Sequence, residues 1–325
     1  MTLTDEPSRA AAPGPRERAP EPAHPPLDRT FAIAGGRVTG RAHQRLGHGC
    51  QDSLAWYAAA GALVAVVTDG CGSSQHSEVG ARLGARLLAA ALVRRLERAA
   101  APGDTPDDAP NDTPDDAPDD APDDTPDDAL DGTLVTRACD DMLVHLRVLA
   151  QAMGGDLART VSEHFLFTVV GAVVTPARTL VFAMGDGIVA INNAVHVIGP
   201  FPGNCPPYPG YALLDAGAPV ALSFQVTEPT AAIDSVLLAT DGAGEILAQP
   251  GRVLPGRREP VGPLAQFWTD DSFFRNPDAV RRRLWLMSRE HVTADWEKRQ
   301  LCRDTGILGD DTTIISIRRR GDACP

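Results

Sequence analysis

The chain has 325 residues, 43% of them hydrophobic, with a formal charge of −13 at pH 7. That is material for one large domain or two small ones. No apolar run reaches the roughly 18 residues that span a bilayer, and the N-terminal stretch has no apolar signal core, so a cytoplasmic protein without a membrane partner is expected.

Residues 1–28 are rich in Pro, Ala and Arg and are expected to be a disordered tail, with the folded domain running over 29–320 and a second tail over 321–325. "FAIAGGRVTG" and "SLAWYAAAGALVAVVTDG" read as short strands joined by Gly turns. From Val79, "SEVGARLGARLLAAALVRRLERA" keeps helical apolar spacing, with Ser77 as the expected cap. An acidic four-residue repeat follows, placed as a disordered insertion over 101–132. Residues 104–132 hold 13 Asp and no Lys or Arg; taking those 13 from the 43 acids leaves 30, against 30 Lys and Arg. The net charge therefore resides in this one segment, which cannot bury enough apolar surface to offset its ordering entropy. A solvated spacer between two helices is the expected role, since added loop length costs little entropy. An acidic tract also argues against nucleic acid as a partner.

A second helix is predicted over Thr133–Met153. A strand-rich half comes next: "HFLFTVVGAVVT", "RTLVFAMGDG", "IVAINNAVHVIG", "APVALSFQVT" and "IDSVLLATDGAGEIL". Their spacing predicts antiparallel hairpins. "FWTDDSFF" reads as a capped turn with aromatic core residues. "NPDAVRRRLWLMSREH" predicts a helix with Asn276 as cap and Pro277 in its first position. "GDDTTIISIRRR" is a turn and a last strand. The order predicts an α+β fold of two packed antiparallel sheets flanked by helix layers. The six cysteines form no CxxC pair and read as free thiols.

One theme recurs along the chain. Asp52 in "CQDS", Asp69 in "VVTDG", Asp186 in "AMGDG", Asp241 in "LLATDG", and Asp310 with Asp311 in "GDDTT" all stand at strand ends. Asp-Gly is good turn chemistry, which accounts for any one of them. Several such carboxylates converging on one sheet edge would repel unless a cation sat between them. Oxygen-only ligation suits Mg²⁺ or Mn²⁺.

The series "GHGCQDS … VVTDGCGS … MGDG … LLATDG … GDDTT" resembles the metal-dependent protein phosphatase 2C family, its bacterial branch most closely. The resemblance covers about His43 to Arg318. It implies an α-β-β-α sandwich and hydrolysis of phosphoserine or phosphothreonine by a water activated between two Mn²⁺ or Mg²⁺ ions, with a third ion in some members. Carried over, Asp69 matches the acid bridging both metals and Gly70 supplies a carbonyl ligand. Asp241 and Asp310 match terminal acids, and Asp52 matches the acid of the "ED" pair, with Gln51 where many members have Glu. Asp186 and Glu245 match third-site positions. The implied substrate is a phosphorylated protein, opposed by a Ser/Thr kinase.

Cys71 stands where many members place the His held to protonate the leaving alkoxide. A thiol is protonated at neutral pH and could donate, but nearby cations favour thiolate. The preferred reading is a small turn residue, with the acid role passing to water or to a nearby His. His43 ranks first among the histidines for a phosphate or proton role, ahead of His48 and His76. Arg41 and Arg45 are candidates for gripping phosphate. Two other readings stay open: a non-catalytic phosphoprotein-binding scaffold on the same fold, and a hydrolase of small phosphate esters.

Overall fold

The computed structural model describes residues 27–59, 61–100, 130–215 and 220–321. The expected tail over 1–26, the insertion over 101–129 and the last four residues lie outside them. A one-turn helix α1 (Leu27–Thr30) leads into β1 (Phe31–Val38), so the expected tail boundary at 28 falls inside α1, whose Leu27 is buried. Helix α2 (Arg41–Leu46), β2 (Ser53–Ala59), β3 (Ala62–Gly70) and the long α3 (Ser77–Ala100) follow. Ser77 is the first helical residue, and its hydroxyl donates to the Cys71 carbonyl at 3.0 Å instead of capping the helix.

Helix α4 (Gly132–Met153) starts one residue earlier than predicted, because Asp131 accepts from Thr133 N and Leu134 N as its cap. The last residues of the expected insertion are thus Leu130, buried in the core, and the cap and first residue of α4. Helix α5 (Leu157–His164), capped by Asp156, was not predicted; its eight residues are too few to carry a periodic signal.

The strand-rich half contains β4 (Phe167–Val174), β5 (Arg178–Met184), β6 (Gly187–Ile191), β7 (Ala194–Ile198), β8 (Phe224–Pro229) and β9 (Ser235–Ala239). Short helices α6 (Gly244–Ala248), α7 (Gln266–Thr269) and α8 (Ser272–Arg275) precede α9 (Ala279–Ser288). Asn276 does not cap α9. It makes an Asx turn, its Oδ1 accepting from Asp278 N, and the helix begins only at Ala279. Nor does α9 run through "SREH": Glu290–Asp295 is β10, paired with β11 (Gln300–Thr305) in a two-stranded ribbon. Strand β12 (Thr312–Arg319) closes the chain.

Two five-stranded antiparallel sheets result, ordered β1-β12-β9-β6-β7 and β2-β3-β4-β5-β8. The predicted β4–β5 hairpin is present, and the stretch "IVAINNAVHVIG", read as a single strand, is itself a hairpin: β6 and β7 pair across a turn at Asn192 and Asn193. Each sheet is covered on both faces, which explains why the central strands read as unbroken apolar runs rather than alternating ones. In β3, Val64 and Val66 join the cluster under α3 and α4, while Leu63, Ala65 and Val67 join the one between the sheets. In β12, Ile314 packs toward α9, and Ile315 and Ile317 turn inward. Each fully buried Val, Leu or Ile contributes about 1.5–3 kcal/mol. The layers are helix, sheet, sheet, helix, as the sequence predicted.

Candidate active site

Strand alternation explains why the acids meet. Side chains of one parity along β3 (63, 65, 67) face the other sheet, so residue 69 continues that row where the sandwich ends. On β2, Leu54 packs between the sheets, and Asp52 shares its parity. Ser53 pairs with Thr68, and Asp69 pairs with Thr168 on β4, so Asp52 and Asp69 are neighbours at the sheet edge. From the opposite sheet, β9 ends at Ala239 and delivers Asp241 in the following turn; β12 begins at Thr312, just after Asp310 and Asp311.

These elements border a cleft of about 230 Å³ whose lining includes Asp69, Asp186, Asp241 and Asp310, together with Cys71 and Tyr208. Among the described residues, no Lys, Arg or His lines it. Asp52 sits beneath, buried, with its Oδ2 accepting from Thr240 Oγ1 at 2.8 Å and its Oδ1 buried without a hydrogen-bond donor. Burial pushes the Asp52 carboxyl up to about 7, helped by the charge of Asp311 and opposed by hydrogen bonds from Asp69 and Thr240. Asp69 is raised well above the usual carboxylate range, by burial first and then by the charges of Asp52, Asp241 and Asp310. Asp241 is exposed as a residue, but its carboxyl lies in the crowded recess and rises to about 6 through burial and the charges of Asp310 and Asp186. Burial also raises Asp186.

Around this cluster the backbone is tight. A Cβ on Gly70 would stand 2.7 Å from Ser77 Oγ and 2.9 Å from the Gln51 carbonyl, so only glycine fits. A Cβ on Gly40 would overlap the Asp310 backbone. Gln51 is buried; its Nε2 donates to Ser74 O at 3.1 Å, and its Oε1 has no donor.

Cys71 is tied into its turn: its N–H donates to Leu166 O, and its carbonyl accepts from Ser74 N and Ser77 Oγ. Its Sγ lies 3.2 Å from Ser73 Oγ. Burial works to raise the thiol, but hydrogen bonds from Ser73, Tyr208 and Ser74 leave it below its usual value. Tyr208 is pushed upward by burial and by its contact with Cys71.

A second cleft adjoins the first, the two sharing Gly72 and Asp310. It is lined by Arg41, His43, Arg45, Glu245 and Gly309. His43 Nδ1 lies 3.0 Å from Asp311 Oδ2, an ion-pair contact that is not aligned as a hydrogen bond. Arg41 Nε is buried without a partner. Glu245 accepts from Gly309 N at 2.8 Å, so the expected third-site pair is divided: Asp186 borders the first cleft and Glu245 the second. His48 lies 5.9 Å from His43, ring to ring, and His76 stacks near His164 at 5.2 Å. The sequence reading gave no role to Thr240 or Tyr208, and named Asp311 among the strand-end acids without distinguishing it from Asp310. Strand parity separates Asp311 from Asp310, since it shares the inward row of Ile315 and Ile317; Tyr208 lies in an irregular segment that offers no periodic signal.

The donor set fits divalent cations. It is all oxygen, its charges crowd one another, and it includes a buried carboxylate oxygen with no donor. Among the described residues, donor atoms of His43, Asp310 and Asp311 also fall within 4.8 Å of one another.

Fold and site together define a four-layer sandwich with a carboxylate-lined cleft at the shared end of its sheets. Residues 39–270, well over half the chain, match the family model described as Protein phosphatase 2C, and the chain belongs to that family. A comparison with curated proteins found no match. Among solved structures, the chain is similar to the serine/threonine phosphatase Stp1 from Staphylococcus aureus, at 14% identity and TM-score 0.45, covering 93% of this chain and 100% of that one. It is also similar to the serine/threonine phosphatase PstP/Ppp of Mycobacterium tuberculosis, at 15% identity and TM-score 0.45, covering 90% and 100%. PppA, a regulatory component of T6SS in Pseudomonas aeruginosa, matches at 13% identity and TM-score 0.43, covering 90% and 98%. No helix among the described residues is long and apolar enough to cross a membrane.

Proposed function

We propose that the protein is a metal-dependent protein serine/threonine phosphatase whose substrate is a phosphorylated protein, opposed by a Ser/Thr kinase. The observation that carries this reading is the cluster of mutually repelling carboxylates lining one cleft, in a member of the protein phosphatase 2C family. Asp69, the Gly70 carbonyl, Asp241 and Asp310 would hold two Mn²⁺ or Mg²⁺ ions, with Asp52 beside Asp69 and Asp186 available to a third. When bound, such ions neutralise phosphoryl charge and make water nucleophilic near neutral pH.

The chain's own groups supply the rest. Thr240 fixes one oxygen of Asp52, the neighbour of Asp69 at the sheet edge. Arg41 and His43 line the adjoining cleft and would meet the phosphoryl group or the leaving oxygen from there. Cys71 serves its turn through three backbone hydrogen bonds, which supports the reading of it as a small turn residue.

The test is hydrolysis of a phosphothreonine peptide with Mn²⁺, with and without chelator, by wild type and Asp69→Asn. Activity lost in both the chelated and the variant samples supports the proposal. A folded wild type that binds Mn²⁺ and leaves the peptide intact overturns it and favours a phosphoprotein-binding scaffold. Turnover of small esters alone would point to the small-ester hydrolase.

A further inference from the structure

We propose that the end of the sandwich remote from the carboxylate cleft carries a second ligand site, for a small molecule bearing a phosphate group. Arg318 and Arg319, the last residues of β12, and Arg320 after them line a cavity of about 370 Å³ whose other walls include Asp234 and Trp268. Asp310 and Asp311 precede the first residue of the same strand. At about 3.4 Å per residue, β12 sets the arginines roughly 25 Å from those acids. The cavity shares no residue with either cleft of the candidate active site, so the proposal does not rest on the phosphatase reading.

The arginines are held in place, yet much of their charge is unanswered. The Arg318 guanidinium lies over Phe274 at 4.3 Å, donates to Thr269 O, and is neutralised by Asp271. Arg319 lies over Phe31 at 4.7 Å and donates through Nε and Nη2 to the carbonyls of Ile233 and Thr230, which leaves Nη1. Arg320 is fixed by its backbone, N to Thr30 O at 2.8 Å; its Nε reaches Asp28 O, and both terminal nitrogens remain. Among the described residues, neither Arg319 nor Arg320 has a carboxylate partner, and Asp234, the one carboxylate in the lining, pairs with no arginine. Trp268 is the buried member of the wall, and its indole N–H has no acceptor. A phosphate monoester carries close to two negative charges at neutral pH and three acceptor oxygens, more than a carboxylate offers to two guanidinium forks. The cavity also falls in the size range of small-molecule sites, with room for the body that bears the phosphate.

The test uses the full chain in chelator, so that no metal ion draws the anion to the carboxylate cleft. The four tryptophans give four indole ¹H–¹⁵N signals, and that of Trp268 is identified by its loss in Trp268→Phe. Ribose 5-phosphate, titrated at constant ionic strength, should shift the Trp268 signal saturably and leave those of Trp285 and Trp296 in place. Arg320→Gln, at an exposed position, should weaken the affinity by about tenfold. Asp234→Asn should strengthen it severalfold, because the change removes the one negative charge in the lining. Acetate should bind at least about tenfold more weakly than ribose 5-phosphate. Calorimetry of the same titrations with wild type and Arg320→Gln gives the affinities without the Trp268 signal, should Trp268→Phe not fold. The absence of saturable binding, binding that Arg320→Gln leaves unchanged, weaker binding by Asp234→Asn, or acetate bound as tightly as ribose 5-phosphate would each overturn the proposal.

Discussion

Replacing Asp52 by Asn is expected to stabilise the metal-free protein at alkaline pH, although it removes a residue of the candidate site. In the fold the Asp52 carboxyl is raised from 3.8 to about 7, by burial first and then by Asp311. A carboxyl raised in this way costs nothing below about pH 3.8, where folded and unfolded chains are both protonated. As pH rises from there toward 7, the unfolded chain gives up its proton and the folded one keeps it, so stability falls across that window and then levels off. Three pKa units correspond to about 4 kcal/mol, shared with Asp69 because the two carboxyls titrate together. For a chain of this size the figure translates into a melting shift on the order of 10 °C. The Asn side chain keeps the shape and an acceptor for Thr240 Oγ1, so little packing is lost. The assay is thermal melting in chelator from about pH 4 to pH 8.5 for wild type and Asp52→Asn. The curves should coincide at the acid end and separate progressively, with the variant higher. Added Mn²⁺ should then raise wild type by more than the variant and close or reverse the gap. A wild type that gains stability from pH 5 to 8 without metal, or an Asn variant that melts lower at pH 8, would refute the reasoning.

Asp69→Asn should remove nearly all peptide hydrolysis, by about 10³-fold or more, and should abolish saturable Mn²⁺ binding by calorimetry, because Asp69 is the acid proposed to serve both ions. Cys71→Ala should keep Mn²⁺ binding and retain peptide kcat within about tenfold, since the turn is held by backbone groups that alanine preserves. Gly40→Ala should destabilise by about 1–3 kcal/mol in urea melts, because a Cβ would overlap the Asp310 backbone and the segment before Asp52 must shift.

The layers of the fold were legible because they rest on runs of sequence. Apolar stretches such as Leu63–Val67 and Val169–Val174 could only be strands buried on both faces, and α3 and α4 carry helical spacing over more than twenty residues. Boundaries were less legible wherever a single side chain decided them. Ser77 looks like a cap but serves the Cys71 carbonyl; Asn276 looks like a cap but closes a turn two residues earlier. The end of α9 was misjudged because "SREH" is as compatible with helix as with strand, and only pairing with Gln300–Thr305 settles it. That pairing is between segments separated by a turn with no strong apolar signal, and most residues of the ribbon are exposed.

The site shows the same division on a finer scale. Each acid at a strand end is visible in the sequence, and so is the parity that turns Asp52, Asp69 and Asp311 inward. What parity does not contain is the distance between sheets, and that distance decides which carboxylates share a cleft. Glu245 follows Asp241 by four residues, yet its carboxylate is spent on Gly309 N in the neighbouring cleft, while Asp186, distant in sequence, borders the same cleft as Asp69. Asp311 is the reverse case. In the sequence it is the less conspicuous half of an Asp pair, and in the fold it is the half that is buried and accepts from the backbone amides of Gly40 and Gln51, whereas Asp310 stands exposed at the meeting of the two clefts. Adjacent residues entering a strand face opposite ways, so one Asp-Asp dipeptide can furnish both a group for the cleft and the support for the segment beside it.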